Sequence, residues 1–250
     1  MEKLLNQLKR FKQRFAPMSP PEPLMYRVYL FEELLALSKE NFFEGKRVLE
    51  IGPKDGLDTK RLATLQPKEL VTIDLPEKQV ANQEWMGAIA CPHRHIEANL
   101  MYMSQQEYSD LGLFDLIWCT GVLYHNAEQL RFLRRLFQLM NPNGYLVLES
   151  ATARNLSKKL REGCYVEIYY PQTYRDTGTV THLPTANAIK AWLKMVGFED
   201  VYDSDCHARQ DKRLVAYRMA CISQKCGEQS ADIYYGKSGL NPAYRFGDST

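Results

Sequence analysis

The sequence has no paired cysteine spacing, no long apolar run and no strong excess of either charge. Its six cysteines include no C-x-x-C pair and no spacing suited to zinc, so we expect reduced thiols, no metal site and a cytoplasmic protein. No apolar run approaches the roughly 18–20 residues of a membrane span, and the charged first residues do not predict a signal peptide. The formal net charge of +2 neither requires nor excludes a nucleic-acid partner. A membrane partner is therefore not expected, and the oligomeric state is left open.

The 250 residues, 45% of them apolar, suffice for one α/β domain with modest additions. We divide the chain into N-terminal helices with a proline-rich linker (1–44), a central domain (45–225) and a C-terminal tail (226–250). Apolar residues at helical spacing predict a basic amphipathic helix from Glu2 to Phe15. That helix either docks on its own domain or meets a phosphate backbone or a membrane surface. A second helix is predicted from about Leu24 to Lys39.

The stretch from residue 46 to 62 predicts a buried strand, a glycine-bearing turn and the start of a helix near Leu57. Gly52 and Gly56 bracket the turn, where glycine lets the backbone approach a ligand. Lys54 stands where the G-x-G-x-x-G pattern of dinucleotide enzymes has its middle glycine. The spacing from Glu50 to Gly56 instead resembles the first motif of class I S-adenosylmethionine (SAM) methyltransferases. The alternative is a strand–glycine–helix turn that binds nothing.

A second β-branched strand, from Leu70 to Asp74, ends in a carboxylate. In a doubly wound sheet it lies beside the first strand, so Asp74 can accept both ribose hydroxyls of an adenosine. The third predicted strand, His93 to Asn99, has a polar end. There Asn99 or Glu97 is a candidate to cap the adenine amine, and Asn99 is equally a good turn residue.

The remaining pattern alternates strands with helices and predicts a parallel sheet with right-handed crossovers. The fold class is therefore α/β, a doubly wound, seven-stranded Rossmann-like fold with an N-terminal helical extension. The other predicted elements are a short helix over 78–86, a strand over 113–119, a helix over 130–140, a turn over 141–144, a strand over 145–149, a helix over 185–197 and strands over 198–202 and 212–223. The polar residues at the carboxyl ends of the strands are expected to form one ligand site.

Three stretches, residues 114–125, 143–149 and 183–198, together resemble the bacterial tRNA wobble-uridine carboxymethyltransferases and their mo5U-methyltransferase-like relatives. The resemblance covers roughly residues 45–225. It implies SAM as cofactor and S-adenosylhomocysteine (SAH) as product, with carboxy-SAM as an alternative donor. It also implies that Tyr124 and Arg218 help hold the carboxylate of carboxy-SAM, and Tyr174 matches a retained tyrosine. The chain departs from the family in its first motif, in a lysine that has no match and in a shorter N-terminal region, so neither tRNA nor carboxy-SAM follows from the resemblance.

These observations select candidate site residues in three groups. His125 is the preferred general base, since it is the histidine at a central strand end, and His182 is second; Tyr124 and Tyr174 orient the substrate. The alternative for His125 is a structural hydrogen bond to its loop. The substrate-binding candidates are Tyr124, Tyr170, Tyr174 and Arg218. The cofactor-binding candidates are Glu50, Gly52, Pro53, Lys54, Gly56, Asp74, Asn99, Leu100, Cys119, Thr120 and Gly121.

Three functions are compatible with these residues. The first is a SAM-dependent methyltransferase acting on an oxygen or nitrogen of a small-molecule acceptor. The second is a tRNA-modifying enzyme that uses SAM or carboxy-SAM, and the third is a SAM-binding subunit without catalysis. In the first two, the tyrosine-rich segment from Gly163 to His182 and the N-terminal helix are predicted to form the acceptor pocket; the alternative is that these tyrosines pack as the core of a lid.

Overall fold

The structure, a computed structural model, describes residues 25–78, 85–169, 181–198, 200–205 and 217–226. Several predicted features lie outside these ranges: the basic N-terminal helix, the proline-rich linker, most of the helix expected over 78–86, and the C-terminal tail beyond Cys226. Two candidate residues, Tyr170 and Tyr174, also lie outside them.

The described residues form an α/β arrangement that follows the predicted alternation. The strands are β1 (Arg47–Ile51), β2 (Glu69–Asp74), β3 (His93–Glu97), β4 (Phe114–Thr120), β5 (Met140–Ala151), β6 (Val166–Tyr169), β7 (Thr181–Pro184), β8 (Asp200–Asp203) and β9 (Arg218–Gln224). The helices are α1 (Met25–Leu37), α2 (Leu57–Ala63), α3 (Gln105–Asp110), α4 (Gln129–Gln138), α5 (Lys158–Arg161) and α6 (Ala186–Val196). Two 3₁₀ turns span Pro76–Lys78 and Leu123–His125.

The main sheet has seven strands in the order β3-β2-β1-β4-β5-β9-β8, which confirms the predicted doubly wound fold. Strands β1 to β5 run parallel, whereas β9 is antiparallel to both β5 and β8. The prediction of a wholly parallel sheet was therefore wrong at this edge. Antiparallel neighbours need no helical crossover, and no strand–helix alternation marks their direction in the sequence.

Both faces of the central strands are covered, as their short apolar runs indicate. On one face, Val48 and Leu70 pack in a buried cluster with Leu30 of α1. On the other face, Leu49 belongs to a buried cluster that includes Leu133 of α4. Truncating such a fully buried leucine to alanine lowers the free energy of unfolding by about 2–5 kcal/mol in typical cores. The two apolar clusters therefore hold the central strands, and with them the carboxyl ends of those strands, in position.

Helix α6 has the two ends that its sequence predicts. The Thr185 hydroxyl accepts a hydrogen bond from the amide of Ala188 at 3.3 Å and so caps the first turn. Gly197 ends the helix with φ 120°, a left-handed conformation in which glycine carries no Cβ penalty. The apolar face between these ends is buried, including Ile189 and Leu193.

The predicted turn over residues 141–144 is instead part of β5. Met140 pairs with Phe114, and the regular register resumes where Tyr145 pairs with Leu116, so the residues between form an irregularity within the strand. Asn143 adopts φ 64° there. Its amide donates to the carbonyl of Lys225 at 2.6 Å, so the end of β9 satisfies the backbone that a free turn would expose to water.

A second, two-stranded sheet pairs β6 with β7 in antiparallel fashion, and we call it the β6–β7 hairpin. The sequence analysis assigned no strands to this segment. Leu183 of the hairpin packs with Ala151 at the end of β5, and Tyr124 and Tyr169 pack against them. The hairpin therefore covers the carboxyl end of β5 next to the 3₁₀ turn Leu123–His125.

Candidate active site

The glycine turn after β1 needs its glycines for reasons of packing. Gly52 and Gly56 have φ of 71° and 69°, in the left-handed region, where the backbone of a residue with a Cβ is strained. A Cβ on Gly52 would lie 2.6 Å from Cγ2 of Val122, and one on Gly56 would lie 2.4 Å from the ring of Trp85. The close approach that these glycines allow is thus to neighbouring protein atoms. Between them Pro53 is buried and Lys54 is exposed with φ 56°.

Glu50 lies fully buried beneath this turn. Its Oε2 accepts a hydrogen bond from the Thr59 hydroxyl at 2.6 Å. Burial first, and then the neighbouring negative charge of Asp58, raise the pKa of Glu50 to about 8. The side chain is therefore a neutral carboxylic acid at pH 7.

Asp58 is the centre of a buried polar cluster that the sequence analysis missed. It accepts hydrogen bonds from Nη1 of Arg27 at 3.0 Å and from Nη1 of Arg61 at 2.6 Å. The indole nitrogen of Trp118 at 3.3 Å and the hydroxyl of Thr120 at 3.4 Å also donate to it. Arg27 comes from α1, so this cluster ties the first described helix to the carboxyl edge of the sheet. No local pattern indicates a partner 31 residues away.

The ends of β2 and β3 carry the candidate adenosine residues. Asp74 is half-buried, pairs in register with Glu97, and accepts the amide of Leu75 at 2.8 Å through Oδ1. Asn99 accepts the amide of Met101 at 3.0 Å through its side-chain oxygen, which is the turn geometry named as its alternative role. The adjacent Leu100 is buried.

A second unforeseen cluster lies beside Asp74. The Thr72 hydroxyl contacts Nε2 of His93 at 2.9 Å and Nδ1 of His95 at 2.8 Å. Burial lowers the pKa of both imidazoles, so both are neutral at pH 7. The Trp85 ring packs against both histidines, with centroid separations of 5.8 and 6.2 Å.

The end of β4 presents three of the candidates in different ways. Cys119 is buried in the core, and burial strongly raises the pKa of its thiol, which makes the sulfur unreactive. The Thr120 hydroxyl donates a hydrogen bond to Asp58. Gly121 turns the chain with φ 77°, and its amide donates to the carbonyl of Glu149 at 2.9 Å.

Tyr124 and His125 lie next to one another in the 3₁₀ turn that follows. Their ring centroids are 4.1 Å apart, with the planes inclined by 40°. Surrounding protein atoms, and then the positive charges of Arg218 and Lys78, lower the pKa of His125. The imidazole is therefore neutral at pH 7 and able to accept a proton, and the side chain keeps access to solvent.

Arg218, the candidate for binding a carboxylate, forms an ion pair with the buried Glu149. Its Nε donates to Glu149 Oε1, and its Nη2 donates to Oε2 at 2.8 Å. Its guanidinium carbon also lies 5.6 Å from the centre of the Tyr124 ring. The structure thus brings Tyr124 and Arg218 together, as the resemblance implies, and gives Arg218 an acidic partner that the sequence analysis did not assign.

Hydrogen bonds of Tyr169 and Glu167 connect the β6–β7 hairpin to the segment that follows β5. The Tyr169 hydroxyl donates to Glu167 Oε2 at 2.8 Å and accepts from Nδ2 of Asn155 at 2.5 Å. His182, on β7, pairs with Ile168, and its carbonyl accepts from Nε2 of the buried Gln129 at 2.8 Å. The described part of the tyrosine-rich segment therefore reaches Tyr124.

Two further properties concern the described residues only. They contain no group of three or more histidine, cysteine or acidic side chains arranged to hold a metal ion. Within the same ranges, no helix combines the length and apolar character needed to cross a membrane.

Comparison with known proteins identifies the family. A family profile described as "Methyltransferase domain" matches residues 25–203, which include α1 and most of the sheet. The chain belongs to this methyltransferase family. Its carboxyl sheet edge, with the glycine turn, Asp74 and the Tyr124–His125 turn, is therefore the candidate active site of a methyltransferase domain.

The curated relatives and the solved structures agree with this assignment. A tRNA U34 carboxymethyltransferase from Idiomarina loihiensis is 27% identical over 158 residues, which cover 63% of this chain and 46% of the relative. The chain spans about half the length of the curated relatives it matches. N-methyltransferase NodS from Bradyrhizobium japonicum, solved with SAH, has a TM-score of 0.55 at 18% identity and covers 90% of this chain and 97% of its own. A SAM-dependent methyltransferase from Mesorhizobium loti gives 0.57 at 17% identity, covering 78% and 97% of the two chains. These likenesses show the Rossmann-like fold of the SAM methyltransferases.

Proposed function

We propose that this methyltransferase domain transfers a methyl group from SAM to an oxygen or nitrogen of a small-molecule acceptor. The observation that carries the proposal is the meeting of two sets of residues at one sheet edge. The glycine turn and Asp74 lie on one side, and Tyr124, which packs against the β6–β7 hairpin, lies with the adjacent His125 on the other. The ends of the central strands are where open α/β sheets bind their ligands.

The residues on the β1–β2 side fit a SAM cofactor by the chemistry of their donors and acceptors. Asp74 would hold the ribose hydroxyls, since a half-buried carboxylate at this strand end is a strong acceptor. The backbone of the turn from Gly52 to Gly56, with Pro53 and Lys54, would line the cofactor. Gly121 and the backbone of Thr120 would line its other end. When bound, SAM supplies a methyl group on a positively charged sulfur, ready for displacement by a nucleophile.

The residues on the β4–β5 side would bind the acceptor and exclude water. Positioning of two reactants can supply roughly 7–11 kcal/mol of the barrier, whereas a general base adds about 10²–10⁴-fold in rate. His125 is the proposed base because its lowered pKa leaves the imidazole neutral and ready to take the proton that the acceptor loses. Tyr124 would orient the acceptor, and His182 is the second candidate base. The β6–β7 hairpin packs against Tyr124 and so bounds this side of the sheet edge, which supports a small acceptor.

Calorimetric titration with SAM and SAH tests the cofactor assignment. Asp74→Ala should weaken SAH binding by about 1–3 kcal/mol, the range for a lost hydrogen bond that involves a charge. Glu77→Gln, which removes an exposed carboxylate from the neighbouring 3₁₀ turn, is the matched control and should bind as the parent does. Absence of binding by the parent protein would refute SAM use.

Methyl-labelled SAM then tests the acceptor class. The protein is incubated with the small-metabolite fraction and, separately, with the tRNA fraction of a cell extract. Label in the metabolite fraction supports the proposal, and label in tRNA supports the second candidate below. Cofactor binding with no transfer to either fraction would favour the non-catalytic SAM-binding subunit.

The second candidate is a tRNA wobble-uridine (carboxy)methyltransferase. One surface favours it: the guanidinium carbons of Arg154 and Arg161 lie 6.0 and 5.2 Å from the centre of the exposed Tyr217 ring, and Lys158 and Lys159 are exposed nearby in the sequence. Positive charge interleaved with an aromatic ring suits a nucleic-acid backbone and a stacked base. The names of the curated relatives point the same way.

Donor choice separates the two candidates further. If carboxy-SAM is the donor, the protein should bind it more tightly than SAM, and Arg218→Met should abolish that preference. A preference for SAM that Arg218→Met leaves unchanged would remove the carboxymethyl candidate. We also propose a cytoplasmic location, which the five free cysteines among the described residues support.

A further inference from the structure

A cluster of positive charge surrounds one exposed aromatic ring, that of Tyr217. The guanidinium carbons of Arg154 and Arg161 lie 6.0 and 5.2 Å from the centre of this ring, so both groups are in cation–π contact with it. Arg154 follows β5 and Arg161 ends α5, whereas Tyr217 directly precedes β9. The ring therefore holds two guanidinium groups from another part of the chain in place, which lowers the entropy that they lose when they bind an anion.

The backbone of Tyr217 is strained. Its φ is 61°, in the left-handed region where a bulky side chain is an outlier. The Tyr217 carbonyl accepts the amide of Thr152 at 2.7 Å, and this hydrogen bond fixes the residue against the end of β5. Strained residues are concentrated at ligand-binding and active sites. The strain is therefore a second observation, independent of the charges, that points to a ligand at this ring.

The cluster lies on the acceptor side of the candidate active site. Tyr217 is followed by Arg218, which pairs in register with Ala151 at the end of β5. The guanidinium carbon of Arg218 lies 5.6 Å from the centre of the Tyr124 ring. Arg154 lies three residues beyond Ala151 in the chain. A ligand held at the Tyr217 ring therefore borders the place where Tyr124 would orient the acceptor.

The positive charge is local rather than spread over the protein. The segment 154–162 carries four basic side chains and one acidic side chain, whereas the whole chain has a formal net charge of +2. Two of the four, Lys158 and Lys159, are exposed on α5. A protein that binds a nucleic-acid backbone can make roughly 6–10 phosphate contacts, more than four cations supply. The cluster instead fits one or two phosphate groups, for which the guanidinium fork is a well-matched donor.

We propose that Arg154, Arg161 and Tyr217 bind a phosphate group of the small acceptor, which makes the acceptor a phosphorylated metabolite such as a sugar phosphate or a nucleotide conjugate. This inference rests on the proposed methyl transfer to a small molecule and adds the chemical class of that molecule. The two guanidinium groups donate to the phosphate oxygens, and the Tyr217 hydroxyl is a third donor. An RNA phosphate offers the same chemistry, and the experiments below separate the two sources.

Calorimetry with inorganic pyrophosphate tests the phosphate site without SAM and without any measurement of activity. The parent should bind pyrophosphate, and Arg161→Gln should bind it about tenfold more weakly, as expected for the loss of a charge-assisted hydrogen bond. Tyr217→Gly removes the ring that both guanidinium groups contact and should weaken binding by a similar factor. Glycine adopts φ of 61° readily, so this variant carries the test if Arg161→Gln fails to fold.

Arg94→Gln is the matched control for the loss of one positive charge. Arg94 lies on β3, at the other edge of the sheet from the Tyr217 ring, and pairs with Glu69. This variant should bind pyrophosphate as the parent does. Total tRNA is titrated into the parent and into Arg161→Gln under the same conditions, and its affinity should differ by less than about twofold between the two proteins.

Transfer from methyl-labelled SAM then tests whether the phosphate belongs to the acceptor. The small-metabolite fraction of a cell extract is used untreated and, separately, after digestion with a phosphatase and a nucleotide pyrophosphatase that are then removed. Digestion should abolish most of the methyl transfer. Pyrophosphate added to the untreated fraction should inhibit transfer by the parent, and about tenfold more of it should be needed with Arg161→Gln.

Several results would overturn the proposal. The parent could fail to bind pyrophosphate, the Arg161 and Tyr217 variants could bind it as tightly as the parent, or digestion could leave methyl transfer unchanged. Binding of tRNA that weakens about tenfold in Arg161→Gln would assign the cluster to a nucleic acid instead. No transfer to any fraction would refute the proposed function and with it the acceptor. That failure is distinguishable, because pyrophosphate binding is measured without SAM and shows independently whether the cluster is a phosphate site.

Discussion

Glu50→Gln tests the electrostatics beneath the glycine turn most directly. The carboxyl group is 1% exposed, and its pKa is raised to about 8 by burial and by the charge of Asp58. Glutamine has nearly the same shape and keeps an oxygen that can accept the Thr59 hydroxyl. The substitution therefore removes the titration while leaving the packing and the hydrogen bond in place.

The sign of the pH effect follows from proton linkage. Between the ordinary pKa of 4.5 and the folded-state pKa of about 8, the folded protein holds a proton that the unfolded chain has released. Stability of the parent therefore falls as pH rises through this window, by about 1.36 kcal/mol per pH unit. Relative to Glu50→Gln, the parent should lose on the order of 3 kcal/mol between pH 5 and pH 8. The two proteins should be similar in stability at pH 5, and the variant should be the more stable at pH 8.

Urea unfolding at 25 °C without ligand, at half-unit steps of pH, measures the difference. Titrations of groups that do not interact with Glu50 are common to the two proteins and cancel. Glu107→Gln is a control whose titration lies below this window, since hydrogen bonds from Ser104 lower the pKa of the exposed Glu107 from 4.5, and its difference from the parent should stay nearly constant from pH 5 to pH 8. Its contribution to stability is present at neutral pH and disappears as pH falls through the folded-state pKa. A difference between parent and Glu50→Gln that stays constant from pH 5 to pH 8 would refute a buried, neutral Glu50.

Two other predictions concern the turn and the base. Gly56→Ala should lower the free energy of unfolding by about 2–4 kcal/mol and weaken SAH binding, because a Cβ meets the Trp85 ring and φ is 69°. Chemical denaturation and calorimetry measure both effects, and a variant as stable as the parent would contradict the packing of the turn. If His125 is the base, kcat/KM should rise with pH to a plateau through a pKa below 6.5, the ordinary value. His125→Gln should lose that dependence and about 10²–10⁴-fold in rate, whereas an unchanged profile would assign the proton transfer to another group.

The sequence alone determined the parts of the fold that have local causes. The strand before Gly52 is a short apolar run because both of its faces are covered, and that run is visible without any partner. Helix α6 is bounded by Thr185 and Gly197 because capping involves only neighbouring residues. The placement of Asp74 at a strand end followed in the same way from the β-branched run before it. The doubly wound fold class then followed from the alternation of elements and the rules of handedness.

The tertiary structure decided whatever depends on partners far apart in the chain. Arg27 lies 31 residues from its partner Asp58 in the chain, and Arg218 lies 69 residues from Glu149. No sequence pattern shows with which carboxylate an arginine will pair. Strand β9 runs antiparallel to β5, and the start of β5 is irregular. Both features depend on backbone hydrogen bonds between β5 and the segment of β9, which are far apart in the sequence. The two strands of the β6–β7 hairpin are only four residues long, and the side chains of β6 alternate between exposed and half-buried, so the hairpin lacks the long apolar pattern that marks a core strand. Its position over Tyr124 comes from packing of the buried Leu183 of β7.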